Sequence, residues 1–117
     1  MSDSVRIFHN PRCSKSRLTM GLLEENKVQP QVVEYLKTPP TAAELDEILA
    51  LLGMEPRELM RKGEAAYKDN NLDDTSLDRQ QLIQAMVANP ILIERPIVIK
   101  GNKAALGRPP EKVLEIL

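Results

Sequence analysis

The sequence contains one cysteine, one histidine, no tryptophan and only 3% aromatic residues in 117 positions. A lone cysteine cannot close an internal disulfide, and with a lone histidine it falls short of the four ligands of a structural zinc cage. Long apolar runs are also missing, and none approaches the roughly 18 residues that span a bilayer. The opening Met-Ser-Asp-Ser-Val-Arg has no basic segment followed by an apolar stretch, so no secretory leader is expected. Charge of one sign is absent too. Sixteen basic residues face 17 acidic ones for a net charge of -1, and such a balance creates no field toward nucleic acid or an anionic membrane. Neither partner is expected, and a reducing cytoplasm, where a lone thiol survives, is the expected location.

What is present suffices for a folded core. With 42% hydrophobic residues, residues 1–117 are expected to form one compact domain. Val5, Ile7 and Phe8 make a short β-rich run that stops at Asn10-Pro11, and Gln31 to Tyr35 make a second. Between them Ser14 to Asn26 reads as a helix whose apolar face carries Leu18, Leu22 and Leu23. Strand, helix, strand is a βαβ unit with parallel pairing. Thr41 and Glu44 form a capping box that opens a helix through Leu45, Ile48, Leu49 and Leu52, with Gly53 as its stop. A short helix follows Pro56, residues 66–78 read as an exposed polar connection or lid, and a further helix covers about 78–87. Pro96 to Lys100 and Lys103 to Leu106 form a hairpin around Gly101-Asn102, a dipeptide suited to a type II′ turn. A final helix starts at Pro109-Pro110 with Val113, Leu114 and Leu117 on its apolar side. The order βαβ, helical insertion, ββα predicts an α/β fold: a mixed four-stranded sheet with flanking helices, in the thioredoxin-like arrangement.

Cys13 stands where such a fold does chemistry, just past the first strand and at the start of the first helix. Free amides in a helix's first turn stabilise a thiolate and equally a bound oxyanion. Arg12, Lys15 and Arg17 lie within four residues of the sulfur and act in the same direction. His9 is a candidate proton relay or nearby cation, or else a strand-end histidine bonded to backbone. Ser14 and Ser16 are candidates for hydrogen bonds to the thiolate or for capping the helix. Arg61, Arg95 and Arg108 include two at rigid strand ends, where a planar guanidinium suits oxyanion recognition.

Five ordered segments carry a resemblance over most of the chain. They are His9-Asn10-Pro11-x-Cys13-x-x-Ser16-Arg17; Tyr35-Leu36-x-Thr38-Pro39-Pro40-Thr41; Leu59-Met60-Arg61-Lys62; Asn89-Pro90-Ile91-Leu92-Ile93-x-Arg95-Pro96-Ile97-Val98; and Arg108-Pro109. In these the sequence resembles the glutaredoxin-dependent arsenate reductases, with Ser14-Lys15 standing where many members carry Gly-Thr. The resemblance implies a nucleophilic Cys13, an arginine triad of Arg61, Arg95 and Arg108 for the oxyanion, and thiolate stabilisation by His9 with Ser16 and Arg17. It further implies a cis peptide bond before Pro96 and no bound cofactor or metal. The implied partners are arsenate, glutathione as external thiol, and glutaredoxin. The need for an external thiol follows from the cysteine count itself, since the chain has no resolving thiol of its own. Two other readings share the same residues. One is a monothiol, glutathione-dependent oxidoreductase acting on another substrate. The second is a non-enzymatic regulatory module, a type that uses a Cys-x-x-Cys switch where this chain has Ser16.

Overall fold

The computed structural model describes residues 4–117. Met1, Ser2 and Asp3, on which the expectation about a leader partly rests, lie outside the described residues. The chain divides into two compact units, one made of the residues up to Thr38 together with Arg95–Leu117, the other of Pro39–Glu94.

The first unit is the sheet. β1 (Val5–Phe8), α1 (Ser14–Glu25) and β2 (Gln31–Val33) form the βαβ unit, and β3 (Ile97–Lys100) and β4 (Lys103–Leu106) form the hairpin. The strand order is β2-β1-β3-β4. β1 runs parallel to β2 and antiparallel to β3, and β3 runs antiparallel to β4. This is the expected mixed four-stranded sheet. β2 is shorter than the run Gln31 to Tyr35 suggested, because the chain turns after Val33 and buries the Tyr35 side chain in that turn. The hairpin turn has Gly101 at φ +59 and no positive φ at Asn102, the pattern in which a type II′ turn needs glycine first.

Alternation along the strands gives the sheet two faces. Val5, Ile7 and Val98 point to one, where Leu23 of α1 and Val113 of the 3-10 segment Pro110–Ile116 complete a buried cluster. The closing segment is therefore a 3-10 helix whose buried anchor is Val113, while Leu114 is exposed. The α1 face also differs from its apolar pattern. Its buried residues are Ser16, Thr19 and Leu23, and Leu18 is 60% exposed. Helix periodicity finds the apolar stripe, but here the stripe that faces inward carries two hydroxyls: Ser16 bonds His9 and Asn10 of the loop before α1, and Thr19 donates to the Lys15 carbonyl one turn back in the helix.

The second unit is helical. α2 (Ala42–Leu52) begins at Thr41 with a full capping box to Glu44 and ends at Gly53 with φ +67, a left-handed cap that favours glycine. The 3-10 turn Pro56–Leu59, the short helix α3 (Ala65–Asp69) and α4 (Arg79–Ala88) follow. Asp78 and Gln81 make a second capping box on α4. Leu45, Ile48 and Leu49 of α2 and Leu82, Ile83 and Met86 of α4 are buried, and the two helices pack together. The polar stretch 66–78 is more structured than an exposed connection. α3 opens it, Leu72 is buried, and the Arg57 guanidinium donates to the carbonyls of Leu72 at 2.9 Å and Asp74 at 2.6 Å. Isolated leucines among polar residues are a weak sequence signal, yet burial of Leu72 and the Arg57 bonds anchor this stretch.

Candidate active site

The thiol sits in the first unit, in the turn between β1 and α1. Cys13 is the N-cap residue of α1 with extended backbone (φ -93, ψ 124), and its own side chain caps nothing. Its amide donates to the Asn10 carbonyl at 3.0 Å, and its carbonyl accepts the Arg17 amide at 3.0 Å. Asn10 shapes the turn from within: it is buried, and its side-chain oxygen accepts the Arg12 amide at 3.0 Å, an Asx-type turn suited to the Asn-Pro dipeptide.

Burial of the half-exposed Cys13 is the largest single influence on its thiol and pushes its pKa up. The Ser16 and Lys15 amides, together with the charge and hydrogen bond of Arg95, outweigh it, so the thiol ionises below its ordinary value of 9.0. That is the direction expected for a nucleophile at a helix N-terminus. The first turn of α1 contains no acidic residue but does contain Lys15 and Arg17. Basic side chains there oppose the positive end of the helix dipole. A negative charge at the helix end removes the conflict, and a thiolate or bound oxyanion supplies one.

Arg95 is the most constrained member of the site. It is 9% exposed, and its Nε and Nη1 are buried with no hydrogen-bond partner among the described residues. Its carbonyl accepts Nε of Arg108 at 3.0 Å, so these two arginines are locked to one another at the mouth of the hairpin. The Arg95-Pro96 bond is cis, the geometry implied by the resemblance, and Arg108-Pro109 is cis as well. Gly107 packs behind them, its amide donating to the Pro96 carbonyl at 2.9 Å. A Cβ at Gly107 would lie 2.7 Å from Pro96 Cγ and 2.8 Å from Thr19 Oγ1, so only glycine fits between α1 and Pro96. Asn10, Thr19 and Gly107 are the residues sequence reasoning missed. Asn-Pro was a usable signal for the first, whereas the other two are visible only once the turn and hairpin are placed.

His9, Ser16 and Arg17 all adjoin the thiol turn, by routes other than those the sequence suggested. The Ser16 side chain is fully buried, hydrogen-bonded to His9 Nδ1, and accepts the Asn10 amide at 3.0 Å. It ties the end of β1 to α1 instead of capping the helix, and it reaches the thiol through its backbone amide. Arg17 donates from Nη1 to the Pro11 carbonyl at 2.9 Å and so braces the turn. Burial is the main cause that lowers the His9 pKa below 6.5, with Arg17 adding to it and Glu34 opposing it.

The structure thus brings together Cys13, His9, Ser16, Arg17, Arg95, Pro96 and Arg108 within one unit. Arg61 belongs to the helical unit. There its Nη1 lies 2.7 Å from Glu64 Oε1 and its Nε 3.3 Å from Glu94 Oε1, while its amide donates to the Leu92 carbonyl at 2.7 Å. Among the described residues, no group of three or more His, Cys, Asp or Glu side chains is arranged to hold a metal ion. No helix among them is long and apolar enough to cross a membrane.

The ArsC family model matches residues 8–116. The chain belongs to the ArsC family. This ArsC-family chain is 59% identical over 118 residues to the "Uncharacterized protein YfgD" of Escherichia coli (strain K12), covering 100% of this chain and 99% of that one. It is 49% identical over 115 residues to an arsenate reductase of Haemophilus influenzae, covering 97% of this chain and 99% of the relative. Among solved structures, the arsenate reductase from Vibrio cholerae superposes with a TM-score of 0.96 at 50% identity over 100% of both chains. The thioredoxin-like fold and an arsenate-reductase-like character are therefore shown at the level of family and fold.

Proposed function

We propose that this protein reduces arsenate through a covalent adduct on Cys13, with glutathione and glutaredoxin supplying the electrons in a reducing cytoplasm. The observation that carries the reading is Arg95: a guanidinium at 9% exposure beside the sulfur, with two buried nitrogens that have no hydrogen-bond partner among the described residues. A buried cation with unused donors is costly unless an anion satisfies it. A tetrahedral oxyanion next to a thiolate is the anion whose chemistry uses both groups.

In the first step the Cys13 thiolate attacks arsenic(V). A sulfur–arsenic bond forms, one arsenic–oxygen bond breaks, and the oxygen leaves as water after taking up protons. The glutathione sulfur then bonds to arsenic as a second arsenic–oxygen bond breaks, and that oxygen leaves as water with the thiol proton. The glutaredoxin thiolate attacks that glutathione sulfur, the resulting disulfide carries away the two-electron oxidation, and arsenic(III) remains on Cys13. Hydrolysis of the last sulfur–arsenic bond releases arsenite and restores the thiolate. Both reducing sulfurs come from outside, in keeping with a chain that has no second cysteine. In this scheme Arg95 and Arg108 hold the oxyanion, and Arg61 is the third arginine assigned to it by the resemblance.

The test is a coupled assay with glutathione, glutaredoxin, glutathione reductase and NADPH. Arsenate-dependent NADPH oxidation is expected from the native chain and none from Cys13→Ser. Equal rates from the two proteins would remove arsenate as the substrate. An adduct with oxidised glutathione at Cys13 under mild conditions would then favour the monothiol oxidoreductase.

A further inference from the structure

The open end of the β3–β4 hairpin pairs Ile97 with Leu106. Just beyond that pair the Gly107 amide donates to the Pro96 carbonyl at 2.9 Å, and beyond that again Arg108 Nε donates to the Arg95 carbonyl at 3.0 Å. Each arginine is therefore joined to the Gly107–Pro96 pair by one peptide bond and to the other arginine by a hydrogen bond. A displacement of that pair moves both.

No positive φ calls for glycine at position 107; space alone does. Gly107 is buried, and a Cβ built on it would lie 2.7 Å from Pro96 Cγ and 2.8 Å from Thr19 Oγ1. Neither atom yields easily. Pro96 Cγ belongs to a ring closed on the backbone. Thr19 is fully buried on α1, and its hydroxyl donates to the Lys15 carbonyl at 2.9 Å, which holds a β-branched side chain in one rotamer. Carbon atoms in ordinary contact are roughly 3.5–4.0 Å apart, so a methyl group at position 107 has to open the contact between the hairpin and α1 by roughly 1 Å. Cys13 is the N-cap residue of α1. The gap thus opens between the helix that carries the thiol and the strand ends that carry the arginines.

We propose that Gly107 and Thr19 are positioning residues of the thiol site: the missing side chain of the one, set against the hydroxyl of the other, fixes how closely Arg95 and Arg108 approach the first turn of α1. Thr19 serves both halves of the site through that hydroxyl, because Lys15, whose carbonyl takes its proton, lies in the first turn itself. A hydrogen bond of about 3 Å is out of range once it is lengthened by roughly 1 Å. The arginines then lose their hold on the sulfur, or on an anion beside it, while the helix stays folded. The role rests on the reading of Arg95 as the buried cation of this site.

A double-mutant cycle over Gly107→Ala and Thr19→Ala tests it, with Arg95→Met as the reference. The rate of Cys13 alkylation by iodoacetamide is followed against pH, together with the NMR signal of Arg108 Nε–H, which is bonded to the Arg95 carbonyl in the native chain. In Gly107→Ala the rate near pH 7 is expected to fall on the order of a few-fold, the scale of one charge-assisted hydrogen bond, with the Arg108 signal displaced. Thr19→Ala alone should leave both near native, and in the double variant the space left by the hydroxyl should restore most of each. Gly107→Ala added to Arg95→Met should slow alkylation no further. A native alkylation profile in Gly107→Ala overturns the proposal, even beside a lowered denaturation midpoint. So does a loss that Thr19→Ala fails to relieve, or one that adds in full to that of Arg95→Met. If Gly107→Ala alone does not fold, a folded double variant with a near-native profile is expected; a double variant that is also unfolded, or that reacts as Arg95→Met does, overturns the proposal. Arg95→Met by itself reports on Arg95 as the cation of the site, and the coupled assay on arsenate, so each failure is recorded separately.

Discussion

Arg95→Met removes one source of thiolate stabilisation at Cys13 and leaves the Ser16 and Lys15 amides in place. The sign follows from the causes already given: Arg95 lowers the thiol pKa through both its charge and its hydrogen bond. In the native chain the alkylation rate should hold its high-pH value to a lower pH than an ordinary cysteine does, then fall as pH drops through the depressed pKa. In Arg95→Met that fall should begin at higher pH, and the rate near pH 7 should drop on the order of a few-fold, the scale of one charge-assisted hydrogen bond in a partly exposed site. Mass spectrometry of alkylated Cys13 reads it directly, and an unchanged profile would mean that the helix amides alone set the acidity. How far this site could be read from sequence differs by residue. Cys13 was legible because strand end, helix start and basic neighbours coincide in a few positions. The true partners of the Ser16 hydroxyl were not, because a serine in a helix's first turn has several acceptors and donors within reach, and only the path of the turn selects among them.

Among elements, capping was the most legible feature, while apolar periodicity held for α2 and α4 and failed for α1. Thr41 with Glu44, and Gly53 at the far end, mark α2 because their side-chain and backbone chemistry is local. Thr41→Ala breaks the bond from the Glu44 amide at 3.1 Å and leaves the return bond, donated by the residue-41 amide to the Glu44 carboxylate, without its counterpart. It is expected to lower stability by about 1 kcal/mol, read as a fall in the denaturation midpoint with an unchanged slope, while the pH profile of Cys13 alkylation stays native. A fall in midpoint under a few tenths of a kcal/mol would show the box to be redundant with the packing of α2 on α4. The α1 helix illustrates the opposite case. Leu18, Leu22 and Leu23 fit one helical face, yet Leu18 is exposed and the inward stripe is Ser16, Thr19 and Leu23. A periodicity argument counts apolar surface, and it misassigns a helix whose first two turns serve a reactive turn. With Gly21 and Pro110, Leu18 and Leu22 instead border a groove of about 480 Å³ on the outer side of α1.

For the molecule as a whole, element order was enough to give the mixed sheet, since a βαβ unit forces parallel pairing and a two-residue turn forces an antiparallel hairpin. The order did not give the neighbours. That β1 lies between β2 and β3 is a matter of long-range pairing, which no local pattern encodes, and the anchoring of residues 66–78 by Leu72 and Arg57 is long-range in the same way. The strand order has a measurable consequence. β1 and β3 are paired on both sides, β4 is an edge strand packed by the 3-10 segment Pro110–Ile116, and β2 is a three-residue edge with Gln31 and Val32 exposed. A strand paired on both sides has every amide in the ladder, whereas an edge strand leaves every second amide to solvent unless something covers it. Opening a central strand must also break two ladders and expose Ile7 or Val98, both fully buried, so it requires unfolding close to the global event. Amide exchange should therefore be slowest in β1 and β3, intermediate in β4 and fastest in β2, with the β1 and β3 rates converging on the global unfolding rate as denaturant is raised. Protection in β2 equal to that in β1 would mean that its outer edge is covered, and would contradict the edge position assigned to it.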